Sequence, residues 1–215
     1  MSELRPRADG PHAGGDTRET ARIEAFSDGV FAIAITLLVL DLRVPPQASQ
    51  VPLGGWLAAQ WPSYFAFVDS FATIGIMWIN HHRLFTLIRR ADHTLLVLNG
   101  LLLLGVTVVP FPTALLASSL HRPDARVAAM VYSGTFTCIA IAFNLLWHYA
   151  ASGSRLLDRR VDPNAVRAIT RAYAVGPALY GLALGLAVVS VTASIALTVA
   201  LALFFALPSR PRATV

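Results

Sequence analysis

An ionisable side chain that could have a functional role lies near the start of a long apolar segment. Asp28 lies about one turn inside that segment and directly follows Phe26 and Ser27. An ionisable group within an apolar span is costly, so such residues are usually functional or paired with a polar partner. Asp28 therefore predicts a polar contact with a neighbouring segment.

A second polar group closes the next apolar segment. Its members are Trp78, Asn80, His81 and His82. If the first helix enters a membrane from the side to which the second helix returns, this group and Asp28 lie at similar depth. Hydrogen bonds from imidazole or indole would satisfy the Asp28 carboxylate, and a histidine there would make the cluster sensitive to pH. Which histidine meets Asp28 stays open.

Metal binding is the competing interpretation of this group. His81 and His82 are adjacent, and adjacent side chains on a helix point about 100° apart, so they cannot both face one ion. A single cysteine, Cys138, excludes an intrachain disulfide and a cysteine-rich metal site. We expect no metal site and no cofactor.

The elements that position these residues follow from the composition. The chain has 215 residues, of which 55% are apolar and 13% charged, against roughly 25% charged in soluble domains. A membrane span takes about 20 apolar residues. The sequence predicts an all-α membrane protein with six transmembrane helices, near residues 23–42, 61–80, 95–117, 127–149 and two within 172–207, divided by Ser190, Thr192 and Ser194. Pro110 and Pro112 predict a kink or an early end in the third.

Arginine placement predicts the orientation. All 17 basic residues are arginine, and only Arg43, Arg122 and Arg126 would lie outside, so the positive-inside rule places both termini in the cytoplasm. We expect a multi-pass protein of the cell membrane, with a flexible tail at residues 1–20, a six-helix domain at 21–208 and a short tail at 209–215. The basic charge then reflects topology and anionic membrane lipid, with no nucleic-acid partner.

The first helix has two distinct faces. At about 100° per residue, one stripe of side chains lies within roughly 60° of Ile33, whereas Ser27 and Asp28 lie about 120° and 140° away. That stripe contains Phe26, Gly29, Val30, Thr36, Leu37 and Leu40. It could line a channel axis, or both faces could be packing surfaces. Outside this helix, Asp69 favours a structural pairing, and Asn99 and Asn144 favour interhelical hydrogen bonds.

The motif resembles that of a known family. The pattern begins with Arg22 and, after three residues, Phe26, Ser27 and Asp28, and it continues with GVFAIAITLLVL and with Trp78, His81 and His82 at the end of helix two. This pattern is similar to that of the prokaryotic members of the transmembrane protein 175 family. Those are potassium-permeable channels, and the resemblance covers about residues 22–207.

The resemblance implies a homotetramer whose first helices line the pore. It implies that Arg22, Phe26, Ser27 and Asp28 form a structural hub at the base of that helix and that Ile33, Leu37 and Leu40 form the constriction. Thr36 could add a polar ring. No TVGYG-like filter is present in the sequence, so gating and selectivity for K⁺ over other monovalent cations would rest on this apolar neck.

Three other classes compete with a channel: a secondary transporter, a membrane enzyme and a purely structural membrane protein. A secondary transporter would show matched broken helices in its two halves, and Gly176-Pro177 and Pro110 do not form such a pair. A membrane enzyme would need a nucleophile and base, or paired ligands, facing one cavity. We expect no enzyme activity, and the transporter remains the alternative.

Overall fold

The computed structural model describes residues 11–46, 50–158 and 160–206, and its regular structure is helical. The first half contains α1 (Pro11–Leu37), the short α2 (Leu53–Ala59), α3 (Trp61–Leu87) and α4 (His93–Val108). The second half contains α5 (Pro110–Ser119), α6 (Ala125–Ala151), α7 (Pro163–Val189) and α8 (Val191–Ala206). This confirms the expected all-α membrane fold.

Within the described residues, five stretches of helix are long and apolar enough to cross a membrane. They are Arg18–Asp41, Trp61–Leu87, His93–Ser119, Ala125–Ser154 and Pro163–Val189. The eighth helix is apolar but has 16 residues, fewer than the about 20 that a span takes. The chain beyond Ala206, including the expected tail at 209–215, lies outside the described residues.

Helix α1 begins earlier than the sequence predicts and ends in a tighter turn. It starts at Pro11, within the segment expected to be a tail, because a helix already formed by the apolar run extends at little cost through helix-forming residues such as Glu19 and Ala21. Residues 1–10 of that tail lie outside the described residues. At the other end, Leu38–Asp41 form a 3₁₀ turn.

The two predicted helix interruptions are present. α4 ends at Val108 and α5 begins at Pro110, because Pro110 has no N–H to continue the hydrogen-bond ladder. Ser190 separates α7 from α8 with an extended backbone (φ −148°, ψ 113°). Its hydroxyl accepts from the Ala193 N–H at 3.2 Å and so caps α8.

Helix α6 lies at the centre of the protomer. It contacts α4, α5, α7 and α8, whereas α1 packs against α3 and α4. The side chains of Tyr132, Phe136 and Trp147 are completely or almost completely buried on α6. The peripheral position of α1 leaves one of its faces uncovered by the residues that the structure describes.

Candidate functional site

The two faces of α1 differ sharply in burial. Phe31, Ala34 and Leu38 are buried against α3 and α4. On the opposite face, Ile33 is 59% exposed, Leu37 38% and Leu40 72%, and Phe26 and Thr36 are exposed too. The protomer therefore carries an uncovered apolar stripe along the helix.

The three large side chains of this stripe form layers. Ile33 and Leu37 are four residues apart on an α-helix, a rise of roughly 6 Å. Leu40 belongs to the 3₁₀ turn, in which side chains three residues apart eclipse and the rise over three residues is again about 6 Å. Leu40 thus lies above Leu37, although the helix changes its winding between them.

Thr36 is the polar member of the exposed face. Its hydroxyl donates to the Ile33 carbonyl at 2.9 Å, so its one proton is used within the helix. A hydroxyl oxygen has two acceptor lone pairs. Those lone pairs remain available to a cation or to water beside the Ile33 and Leu37 layers.

Ser27 lies at the start of a buried hydrogen-bond chain that joins three helices. The Asn99 amide nitrogen on α4 donates to the Ser27 hydroxyl at 3.0 Å, and that hydroxyl donates to the Ile23 carbonyl at 2.8 Å. The Asn99 carbonyl oxygen lies 2.9 Å from Nε2 of His81 on α3. Because this oxygen can only accept, Nε2 carries the proton.

The ring of His81 is held by burial and by two aromatic neighbours. The residue is completely buried, stacks on Phe85 at 4.5 Å between ring centroids and contacts Phe31 at 5.3 Å. Its Nδ1 has no hydrogen-bond partner within the described part of the chain. His81 is thus an interhelical packing residue as well as a donor.

Asp28 pairs with an indole, and a different acid pairs with the second histidine. The Trp78 indole N–H donates to Oδ1 of Asp28 at 2.9 Å. His82 Nδ1 lies 2.7 Å from Oε1 of Glu24. Glu24 was not singled out from the sequence, but it precedes Asp28 by four residues, and residues with that spacing are neighbours on one helix face.

Three residues expected in the hub or the polar group, namely Arg22, Phe26 and Asn80, lie apart from these contacts, and Phe26 is 67% exposed. Asn80 lies on the wall of a cavity between α3, α6, α7 and α8, because at 100° per residue it points about 200° away from Trp78. Arg22 is exposed. The structure brings together Ser27, Asp28, Trp78, His81 and His82, with Glu24 and Asn99 as additional partners.

A second polar network lies nearer the opposite end of α3. The Tyr132 hydroxyl donates to Oδ2 of Asp69 at 2.9 Å and lies 3.1 Å from the Ser70 hydroxyl, which lies 2.8 Å from the Thr113 hydroxyl. All four residues are buried. Asp69 therefore has the structural pairing that its type predicts.

Asn144 meets the carbonyl that Pro177 leaves free. Pro177 lies inside α7 and has no N–H to donate to residue 173, four positions earlier. The Asn144 amide on α6 donates to the Tyr173 carbonyl at 2.7 Å. This confirms the interhelical bond expected of Asn144, as the His81 and Ser27 contacts do for Asn99.

The turn between α3 and α4 is held by two acidic side chains. Asp92 accepts from the Tyr149 hydroxyl at 2.6 Å and from the Leu95 N–H at 2.9 Å, and these two hydrogen bonds hold the pKa of its carboxyl below the usual 3.8. Asp158 accepts from the Arg160 N–H and from Arg89, which lowers its pKa as well. Both contacts favour the ionised carboxylates.

The helices and these contacts define a multi-pass helical membrane protein whose first helix is anchored by a polar cluster. Among residues 11–46, 50–158 and 160–206, no group of three or more His, Cys, Asp or Glu side chains is placed to hold a metal ion.

Comparison with known proteins identifies the family. Residues 22–110 match the family model described as the endosomal/lysosomal potassium channel TMEM175. A potassium channel of Chamaesiphon minutus is 55% identical over 193 residues, covering 89% of this chain and 95% of that protein. A potassium channel of Streptomyces collinus is 49% identical over 190 residues, covering 87% and 91%.

A solved structure agrees with the sequence match. The crystal structure of a lysosomal potassium-selective channel TMEM175 homolog from Chamaesiphon minutus superposes with a TM-score of 0.81 at 53% identity, covering 88% of this chain and 97% of that one. The chain belongs to the TMEM175 family, as the motif in its first helix predicts. This is a family of ion channels and not of enzymes.

Proposed function

We propose that this chain is a potassium-permeable channel in which four copies surround a pore lined by α1. The observation that carries the proposal is the uncovered stripe of Ile33, Leu37 and Leu40 on a helix whose other face is buried. The relatives named as potassium channels support the permeant ion. The assignment of these three residues to the pore is our own.

Four copies are needed because one α1 cannot enclose an axis. The segment RIEAFSD at residues 22–28 has no second copy in the chain, so the remaining pore helices must come from other subunits. In a closed ring, each stripe would meet its symmetry mates at the centre. The homotetramer thus removes from lipid and water a face that the protomer leaves open.

The stripe would act as gate and selectivity element together. Three apolar layers about 6 Å apart make a neck that closes by dewetting and conducts when the helices rotate or separate. K⁺ loses its hydration shell at lower cost than Na⁺, so an apolar neck favours K⁺ modestly. The free lone pairs of Thr36 would supply a polar ring between the layers.

The polar cluster would hold α1 at the angle the pore requires. Ser27 and Asp28 lie on the face of α1 opposite the stripe, and their partners Asn99 and Trp78 belong to α4 and α3. We assign these residues, together with His81, a structural role. In this account α1 turns as a unit with α3 and α4.

The proposed topology has six spans, with α8 and the residues after it as the sixth, and both termini in the cytoplasm of a multi-pass cell-membrane protein. The arginines of the α3–α4 turn, the α6–α7 loop and the N-terminal end of α7 support this side as cytoplasmic. Residues 21–208 would form the channel domain, with tails at 1–20 and 209–215.

Potassium flux from liposomes tests the function. We expect the purified chain to be a tetramer and to pass K⁺ faster than Na⁺. Leu37→Ser should raise the resting leak and reduce the K⁺ to Na⁺ ratio, because a hydroxyl wets the neck. Leu104→Ser is the matched control, since Leu104 on α4 is 62% exposed and lies away from the stripe.

Two results would contradict the proposal. One is a monomeric protein without K⁺ flux. The other is equal flux and selectivity in wild type and Leu37→Ser, which would place the permeation path elsewhere.

A further inference from the structure

A half-open cavity lies between α3, α6, α7 and α8, away from the α1 stripe. It measures about 70 Å³, and its walls are mostly apolar or aromatic. Lining residues that bear on its contents are Met77, Asn80, Phe143, Asn144, Tyr173 and Gly176. In a membrane, such a cavity is open to molecules with an apolar body.

The cavity also has a polar side chain without a partner. No hydrogen bond to the Asn80 amide is present within the described ranges, whereas the nearby Asn144 amide donates to the Tyr173 carbonyl. Because Asn80 is half-buried in an apolar wall, its unused donors and acceptor favour an occupant with polar atoms.

A cationic side chain follows the cavity residue Asn80 along α3. Arg83 follows Asn80 by three residues, so it lies on the same face of α3 one turn closer to the arginine-rich end. Arg83 is exposed and forms no ion pair within the part of the chain that is described.

We propose that this cavity binds one anionic glycerophospholipid of the leaflet on the arginine-rich side. An acyl chain would lie against Met77 and Phe143, the glycerol ester region would meet Asn80, and the phosphate would contact the Arg83 guanidinium. Such a molecule joins an anionic group to an apolar body, and Arg–phosphate contacts are strong because they are charge-assisted. A free phosphate leaves the apolar walls and Asn80 uncovered.

The proposal requires that the chain span a membrane but does not depend on the pore. Loss of lipid binding with intact K⁺ flux would therefore count against this site alone. Loss of flux with intact lipid binding would count against the proposed function alone.

Native mass spectrometry of the full chain in uncharged detergent tests the site. The probes are dioleoylphosphatidylglycerol, dioleoylphosphatidylcholine and inorganic phosphate. We expect one phosphatidylglycerol per chain to bind in preference to phosphatidylcholine. Arg83→Gln should weaken phosphatidylglycerol binding about tenfold, as expected for one charge-assisted contact, and should remove the preference over phosphatidylcholine.

Two further variants distinguish lipid binding in the cavity from a general attraction of anionic lipid to the positively charged protein. Gly176→Leu fills the space, since a Cβ at this position is 3.8 Å from Phe205, and should weaken binding of both lipids. Arg126→Gln is the control, because it removes one exposed arginine from the opposite end of the bundle and should change neither.

The proposal would be overturned by any of three results. These are equal binding of the two lipids to wild type, displacement of phosphatidylglycerol by inorganic phosphate at equal concentration, or equal losses in Arg83→Gln and Arg126→Gln. Should Gly176→Leu fail to fold, the two arginine variants still decide the outcome.

Discussion

The Trp78 indole N–H donates to the Asp28 carboxyl at 2.9 Å and so joins α3 to the base of α1. The neighbouring His82 ring lies 6.4 Å from the Trp78 ring and is itself 2.7 Å from Glu24. Two acidic side chains one turn apart on α1 are therefore each bonded to a different ring on α3. Together they fix both the depth and the rotation of α1.

Trp78→Phe should weaken this contact between α1 and α3 while keeping most of the aromatic ring. The variant removes the donor to Asp28 at a partly exposed place, so we expect a loss of about 0.5–1.5 kcal/mol in the free energy of unfolding, seen as a lower melting temperature in detergent. Trp61→Phe is the control, because Trp61 is also about half exposed but lies at the other end of α3. Equal effects in the two variants would contradict the role given to Asp28.

Asn99→Leu should cost more than the loss of one hydrogen bond. The asparagine bonds both Ser27 and His81. Its replacement leaves the buried His81 Nε2–H unsatisfied, at about 1–3 kcal/mol, and removes one of the two hydrogen bonds of the Ser27 hydroxyl. Ser27→Ala should then destabilise the Asn99→Leu background less than it destabilises the wild type. A double-mutant cycle of melting temperatures measures this coupling; additive effects would show that the two residues act independently.

Tyr132→Phe should destabilise the second network. The hydroxyl bonds Asp69 and Ser70 in a fully buried place, and its removal leaves the Asp69 carboxyl without this donor, at about 1–3 kcal/mol. Tyr64→Phe removes the same atom from a half-buried tyrosine on the same helix as Asp69 and should have little effect. Thermal unfolding in detergent would show the difference, and a similar shift in both would contradict it.

Tyr149→Phe should reduce stability in a pH-dependent way. The Tyr149 hydroxyl lowers the pKa of Asp92 below 3.8, so the stabilisation is present above the pKa of the unfolded chain and disappears as pH falls through the lower folded value. The melting temperatures of wild type and variant should differ at pH 7, and the difference should shrink as the pH falls below about 3.8 and vanish below the lower pKa of the folded state. A difference that persists at low pH would show that the contact does not depend on the ionised carboxylate.

The sequence predicted the helix boundaries that are set by residues within one turn of the boundary. Pro110 and Ser190 interrupt the helices where expected, since a missing N–H or a capping hydroxyl acts within one turn. The short α2 was not predicted, because Gly54 and Gly55 lie within it and glycine disfavours helix. The early start of α1 was missed because Gly14 and Gly15 lie within its first turns and glycine disfavours helix.

The partners inside the polar cluster were less predictable. Asp28 and the end of α3 were expected at one depth because antiparallel helices bring these positions together. The choice of Trp78 over a histidine depends on the rotation of α3, which comes from packing against α1, α5 and α8. Asn80 could have been excluded from the sequence, since it lies about 200° from Trp78 around the helix.

Chemical access to residue 37 tests the pore assignment most directly. Cys138 is an exposed free cysteine, so Leu37→Cys and Ala34→Cys are made in a Cys138→Ser background, and K⁺ flux is measured before and after a cationic thiol reagent. We predict that the reagent stops flux through Leu37→Cys and leaves Ala34→Cys, on the buried face, unchanged. A conducting Leu37→Cys protein whose flux the reagent does not alter would contradict the account.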